Sequence, residues 1–226
     1  MEQTAIVTGG TGGLGGAVTH ALLDAGWRVV VPWVDERELE RVQEHGRLAL
    51  VQADLMDPAS AADVVATAGD GLRALVNLVG GFAQGGRVHE TPVDEFEAQL
   101  RLNLRPAYLM SAAAVPVLLA AGGGAIVCVS SRAALRPFPG AAGYITAKAA
   151  VLAFVDAMHA EYRDDGIRTN AILPSTIDTP ANRRSMPDAD VDTWVKPEAI
   201  ARVVRFLCSD DAAVTSGAHV PVYGRA

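Results

Sequence analysis

Short runs rich in Val, Ile and Leu alternate with longer helical patterns along almost the whole of this 226-residue chain, and no other feature narrows the possible folds as far. A strand buried on both faces reads as a near-continuous apolar run, so apolar runs separated by helical patterns mark βαβ units around a parallel sheet. The runs predict strands at residues 3–8, 28–32, 48–52, 73–78, 125–130, 167–173 and 217–222. Helices are expected near 14–25, 36–45, 58–67, 92–121, 142–164 and 196–208. Right-handed crossovers would wind these into a doubly wound α/β sheet of about seven strands with helices on both faces, and ligands gather beyond the carboxyl ends of such strands. One domain spanning 1–226 is expected, with 174–196, rich in Pro, Ser, Thr, Asp and Asn, as a substrate loop within it.

Charge and cysteine usage exclude several function classes. A net charge of -7 without a Lys/Arg cluster argues against nucleic-acid binding. Residues 1–8 lack the basic start and apolar core of a signal peptide, and a cytoplasmic protein is expected. Cys128 and Cys208 sit in apolar settings and read as buried thiols, so neither a disulfide nor a metal site is expected. Residues 106–131 carry no charge, but Pro116 and Gly122-Gly123-Gly124 interrupt them, which favours a buried helix, a turn and a buried strand over a membrane span.

Directly after the first strand comes Thr8-Gly9-Gly10-Thr11-Gly12-Gly13-Leu14-Gly15-Gly16, which leads into an apolar-periodic helix. Glycines permit a tight turn and a close approach of backbone to a pyrophosphate seated on the positive end of the helix, so this segment reads as a nucleotide site. Further along, Tyr144 and Lys148 lie four residues apart and share one helix face. A phenol beside a fixed positive charge becomes a usable acid at neutral pH. Alone, the pair also fits a half-buried ring beside a solvated amine.

Together, Thr8, Gly9, Gly13 and Gly15 (Thr-Gly-x-x-x-Gly-x-Gly) and the Tyr144/Lys148 pair resemble the short-chain dehydrogenase/reductase family, over nearly the whole chain. The resemblance implies a Rossmann-type fold and an enzyme that transfers hydride between a nicotinamide cofactor and a ketone or secondary alcohol. It implies Tyr144 as the acid/base, Ser131, thirteen residues earlier, as the group polarising the substrate oxygen, Lys148 as the residue lowering the tyrosine pKa, and Asn103 as the holder of a linking water. It further places Gly9, Thr11, Gly13, Leu14, Gly15, Asp54, Leu55, Asn77, Val79, Gly80, Tyr144, Lys148, Pro174, Ile177 and Thr179 at the cofactor, with Asn77 mainly bracing the sheet and Thr179 at the carboxamide.

The choice between NAD(H) and NADP(H) turns on the end of the second strand, where Trp33 aligns with the acidic residue of NAD enzymes. Asp35 and Glu36 close by would repel a 2'-phosphate, a slight lean to NAD. Residues 79–86, 133–135 with 139–144, and 173–187 look like the dihydropteridine reductase branch, but that branch has a small apolar residue where Ser131 stands. The expected substrate is therefore a small-molecule carbonyl or alcohol. Reduction of a quinonoid dihydropterin is the runner-up, and a non-catalytic NAD(P)-binding sensor is the third reading. Family members assemble through their long helices, so a homodimer or homotetramer without membrane contact is expected.

Overall fold

The computed structural model describes residues 2–225. Seven strands, β1 (Thr4–Thr8), β2 (Arg28–Trp33), β3 (Leu48–Gln52), β4 (Leu72–Asn77), β5 (Gly124–Val129), β6 (Ile167–Pro174) and β7 (His219–Val222), form one parallel sheet in the order β3-β2-β1-β4-β5-β6-β7. Six helices join them: α1 (Gly13–Asp24), α2 (Pro58–Ala68), α3 (Val93–Ala120), α4 (Ala142–Tyr162), α5 (Pro180–Ser185) and α6 (Pro197–Cys208). The chain reverses its direction across the sheet between β1 and β4, so the carboxyl ends of these two neighbours open a crevice between diverging loops.

Each face of the sheet carries its own core. Alternate residues of the central strands point to opposite sides: Ile6, Leu75 and Ile126 pack with Met110 and Leu118 of α3 and Val151 and Val155 of α4. Val7, Val76 and Val127 pack with Val18 and Leu22 of α1 and Ile200 and Val204 of α6. Both cysteines are free and buried among these residues, and burial pushes the Cys128 thiol up to about 11 and the Cys208 thiol up to about 12. Neither is a thiolate at neutral pH.

Two expectations need correction. The helix predicted at 36–45 is only a 3-10 stretch, Glu36–Arg41, with no buried residue to anchor it. The Asp35 carboxylate accepts from the Arg37 amide and closes the turn locally, and without an apolar face to bury a longer helix gains little. Conversely, the loop 174–196 contains α5, started by Thr179, whose hydroxyl accepts from the Asn182 amide, with Pro180 in the first turn.

By length and composition α3 could cross a membrane; here Met110, Ala114 and Leu118 are fully buried in the core. It runs as a single helix through Pro106 and Pro116, then turns through Gly122 and Gly123 into β5, the helix-turn-strand order expected of that uncharged stretch.

Candidate functional site

The loop between β1 and α1 is built for close approach. Gly9 has φ +65, and a Cβ on Gly15 would stand 1.9 Å from the Gly9 carbonyl oxygen, so only glycine lets the first turn of α1 fold back on the strand end. The helix begins at Gly12 without a side-chain cap and with no acidic residue in its first turn. Its positive end is therefore open to an anion, which suits a pyrophosphate.

In front of this loop lies a cavity of about 510 Å³. Gly9, Thr11, Gly13, Leu14, Gly15, Trp33, Asp54, Leu55, Val79 and Gly80 all line it, so ten of the residues expected at the cofactor meet in one place. Asp54 also accepts from the Met56 amide at 2.9 Å, which fixes the turn after β3. The dimensions and the bare glycine floor fit a dinucleotide.

A second acidic residue facing this cavity, besides Asp54, was not expected from the sequence. Asp35 is engaged by the Arg37 guanidinium, which holds its carboxyl down at about 2. Glu38 instead lines the cavity beside Trp33 and Val34, and its carboxylate accepts from the Thr11 hydroxyl at 2.5 Å. Arg41 lines the same wall. Reading 36–45 as a regular helix hid both, because the tighter 3-10 turn changes which side chains face inward.

Asn77 lies away from the cavity. It is buried between α3 and β5, donating to Ser111 Oγ at 3.2 Å and Cys128 Sγ at 3.7 Å, and acts as a brace inside the sheet.

At the carboxyl end of β4 the cavity meets the residues expected to carry chemistry. A Cβ on Gly80 would lie 2.6 Å from Asn103 Oδ1 and 3.1 Å from Lys148 Nζ, so Gly80 joins the cavity to both side chains. Asn103 clasps the neighbouring peptide: its Oδ1 accepts from the Gly81 amide at 3.1 Å and its Nδ2 donates to the Gly81 and Gln99 carbonyls, each at 3.0 Å. Every polar atom of that amide is thereby spent on positioning the loop. Lys148 donates to the Val129 carbonyl at 3.2 Å, and burial lowers its amine to about 8.

Ser131 follows β5 and its hydroxyl accepts from the Ala133 amide at 3.1 Å. It also acts on the Tyr144 phenol, in the sense that lowers its pKa. The expected net fall in the tyrosine pKa does not occur: burial raises it, and Ser131 only opposes the rise. The ammonium was expected to dominate, yet its distance from the phenol leaves desolvation the larger effect.

On the opposite side, Thr179 packs over the glycine loop, since a Cβ on Gly13 would stand 2.9 Å from its Cγ2. Its hydroxyl caps α5. Pro174 ends β6 in the core, and Ile177 pairs with Val195 across the loop. The Asp178 carboxylate, its side chain 6% exposed, is pinned by Arg183 and Lys196. Among the described residues no cluster suited to a metal ion occurs.

A strand-glycine-helix start, a dinucleotide-sized crevice and a Ser-Tyr-Lys set at its end define a nicotinamide-dependent oxidoreductase. The short chain dehydrogenase family pattern matches residues 3–190, and the chain belongs to that family. It is 31% identical over 248 residues to 2-(R)-hydroxypropyl-CoM dehydrogenase of Xanthobacter autotrophicus, covering 99% of this chain and 98% of that one. Cyclohexanol dehydrogenase of an Acinetobacter species is 30% identical, with 99% and 94% covered. A solved oxidoreductase of the short chain dehydrogenase/reductase family from Burkholderia thailandensis superposes with a TM-score of 0.89 at 30% identity, with 99% and 92% covered. The chain is an NAD(P)-dependent enzyme acting on alcohols or ketones.

Proposed function

We propose that this chain interconverts a ketone and a secondary alcohol with Tyr144 as the acid/base, as one functional unit in which 174–196 borders the substrate. The observation that carries the reading is the convergence of Gly80, Asn103 and Lys148 at the end of the cavity, with Lys148 Nζ 5.8 Å from the centre of the Tyr144 ring.

The glycine loop and the open end of α1 would hold the pyrophosphate, Trp33, Asp54 and Leu55 the adenosine, and Val79, Gly80 and Lys148 the nicotinamide ribose. A nicotinamide bound there supplies the two-electron chemistry, taking hydride from an alcohol carbon or giving it to a carbonyl carbon. Oxidation leaves one hydroxyl proton to remove, and Tyr144 accepts it; in reduction Tyr144 donates it. Ser131 hydrogen-bonds the same substrate oxygen and stabilises the charge that develops on it. Lys148, an ammonium for the most part at neutral pH, favours the phenolate whenever the proton has left. Asn103 fixes the Gly81 peptide and with it the floor of the site.

NAD is favoured over NADP. Glu38, held by Thr11 at the adenosine end, can accept from a ribose 2'-hydroxyl and repels a 2'-phosphate. Arg41 on the same wall acts in the opposite sense and tempers the preference. Titrating NADH and NADPH into the protein by fluorescence tests this; tighter binding of NADPH would overturn it.

A cytoplasmic homodimer or homotetramer fits the surface of α3 and α4, where Tyr108 is 56% exposed and lies 5.9 Å from the Phe154 ring. Light scattering on the purified protein decides between monomer and assembly.

The activity itself is tested by following nicotinamide absorbance with a panel of ketones, secondary alcohols and a quinonoid dihydropterin. Turnover of ketones or alcohols is expected. Turnover of the dihydropterin alone, or cofactor binding with no turnover, would overturn the reading.

A further inference from the structure

Two of the five phenylalanines in the chain stand partly in the open, one against Tyr144 and the second against the first. Phe82, on the loop after β4, is 58% exposed, and its ring meets the Tyr144 ring edge-on, with centroids 5.0 Å apart and planes at 88°. Phe138, on the loop between β5 and α4, is 40% exposed, and its ring lies 6.3 Å from that of Phe82 at a tilt of 49°. Scattered exposed apolar side chains need no explanation, but an aromatic row from two separate loops that ends on the candidate proton donor does.

The loops that carry them are fixed to one another. The Gly85 amide donates to the Gly140 carbonyl at 2.7 Å and Gln84 Nε2 donates to the Pro139 carbonyl at 3.2 Å. Gly140 has φ +81, and a Cβ there would stand 2.6 Å from the Gly85 carbonyl oxygen, so the two backbones touch. At the other end of the Phe82 loop, Asn103 holds Gly81 from both sides. An aromatic surface left partly in water and held in place by backbone hydrogen bonds is preorganised for a flat apolar partner, which gains burial and ring-edge contact without the protein ordering a loop. Of the neighbouring cations, the Arg132 guanidinium lies 5.3 Å from the Tyr223 ring centroid and Arg183 is paired with Asp178.

We propose that Phe82 and Phe138 form a substrate-selecting wall, and that the substrates are ketones and secondary alcohols carrying an apolar ring, aryl or cycloalkyl, on the reacting carbon. The inference rests on the Tyr144 reading above and adds the substrate class. The wall touches neither bond that changes: the carbinol hydrogen still leaves as hydride to the nicotinamide and the hydroxyl proton still passes to Tyr144. Its part is to seat the ring so that the oxygen faces Ser131 and Tyr144.

The test compares kcat/KM for acetophenone and cyclohexyl methyl ketone with that for butanone and pyruvate, in the unaltered enzyme and in Phe82→Ala and Phe138→Ala. Both rings are partly exposed, so both variants should fold. The ring ketones should exceed butanone and pyruvate by about tenfold or more, and that ratio should fall towards unity in Phe82→Ala, the loss appearing in KM. Saturation-transfer NMR of acetophenone on the protein should show contact at the ring protons, weakened in both variants. Equal turnover of butanone and acetophenone, or an unchanged ratio in both variants, overturns the ring preference and leaves the oxidoreductase reading standing. Absence of turnover on every ketone and alcohol removes both.

Discussion

Lys148 Nζ lies 5.8 Å from the centre of the Tyr144 ring and donates a hydrogen bond to the Val129 carbonyl at 3.2 Å. Ser131 instead opposes the rise that burial imposes on the phenol pKa. The buried amine, meanwhile, is held by a carbonyl at the end of β5.

Tyr144→Phe removes the hydroxyl proposed to exchange the substrate proton and keeps the ring. Turnover should fall by roughly 10²- to 10⁴-fold, the usual contribution of a positioned acid/base. NADH affinity should stay within about threefold, since uniform binding is little affected. Steady-state rates and a fluorescence titration measure the two, and near-normal kcat in the variant would contradict the assignment.

Removing the Ser131 hydroxyl should raise the phenol pKa further, because burial already raises it and Ser131 is what opposes the rise. The tyrosinate difference spectrum of Ser131→Ala should therefore move to higher pH than that of the unaltered protein. A shift to lower pH would show that Ser131 does not stabilise the phenolate.

Burying an amine makes stability depend on pH. The Lys148 amine titrates near 10.5 in an unfolded chain and at about 8 in the folded protein. Between these values the unfolded state holds the extra proton, so this group adds stability as pH rises through that window and costs stability below it. Cys128 and Cys208 act in the opposite sense above their unfolded value of 9.0, because their folded values are raised. Comparison with Lys148→Met isolates the amine. The variant should be the more stable at pH 7, and its advantage in denaturant midpoint should shrink towards pH 10.

The glycine loop was legible in the sequence because glycine is the one residue whose absence of a side chain can itself be a structural requirement, as Gly15 shows with its 1.9 Å approach. Strands were legible for a similar reason: buried on both faces, they leave uninterrupted apolar runs such as Ala5-Ile6-Val7. What stayed hidden was set by tertiary contact. Glu38 reaches Thr11 only because the segment after β2 tightens to a 3-10 turn, and the Phe82 and Phe138 rings meet only because Gly85 and Gly140 tie their loops. The shift in Tyr144 ran against expectation because adjacency in sequence reports the amine and says nothing of burial.

Two glycine substitutions separate conformational need from mere occurrence. Gly15→Ala forces a methyl group onto the Gly9 carbonyl oxygen, so the loop must open and both stability and NADH affinity should drop sharply. Gly46→Ala meets nothing within 4 Å and should be neutral or gain about 0.4–1 kcal/mol, through the reduced freedom of the unfolded chain. Thermal melts and NADH titrations of the pair measure the contrast; equal effects would mean that the loop does not require glycine at 15.

Asp178 pins the segment 174–196, proposed above to border the substrate. Its side chain is 6% exposed while those of Arg183 and Lys196 are 51% and 60% exposed, so a buried carboxylate binds two cations that could otherwise be hydrated. Those cations hold its carboxyl well below the usual carboxylate range. For an acid with a depressed folded pKa the stabilisation is present above the unfolded value of 3.8 and is lost only as pH falls through the folded one. The clamp is therefore intact at any pH at which the enzyme would work. Asp178→Asn keeps the shape and removes the charge, freeing Arg183 and Lys196 to solvent. Global stability should change little, because the released partners rehydrate. The loop should loosen: proteolysis between α5 and α6 should quicken, and KM should rise with kcat less affected. An unchanged digestion pattern and an unchanged KM would show that the Ile177-Val195 pairing and the Thr179 cap hold the loop without Asp178.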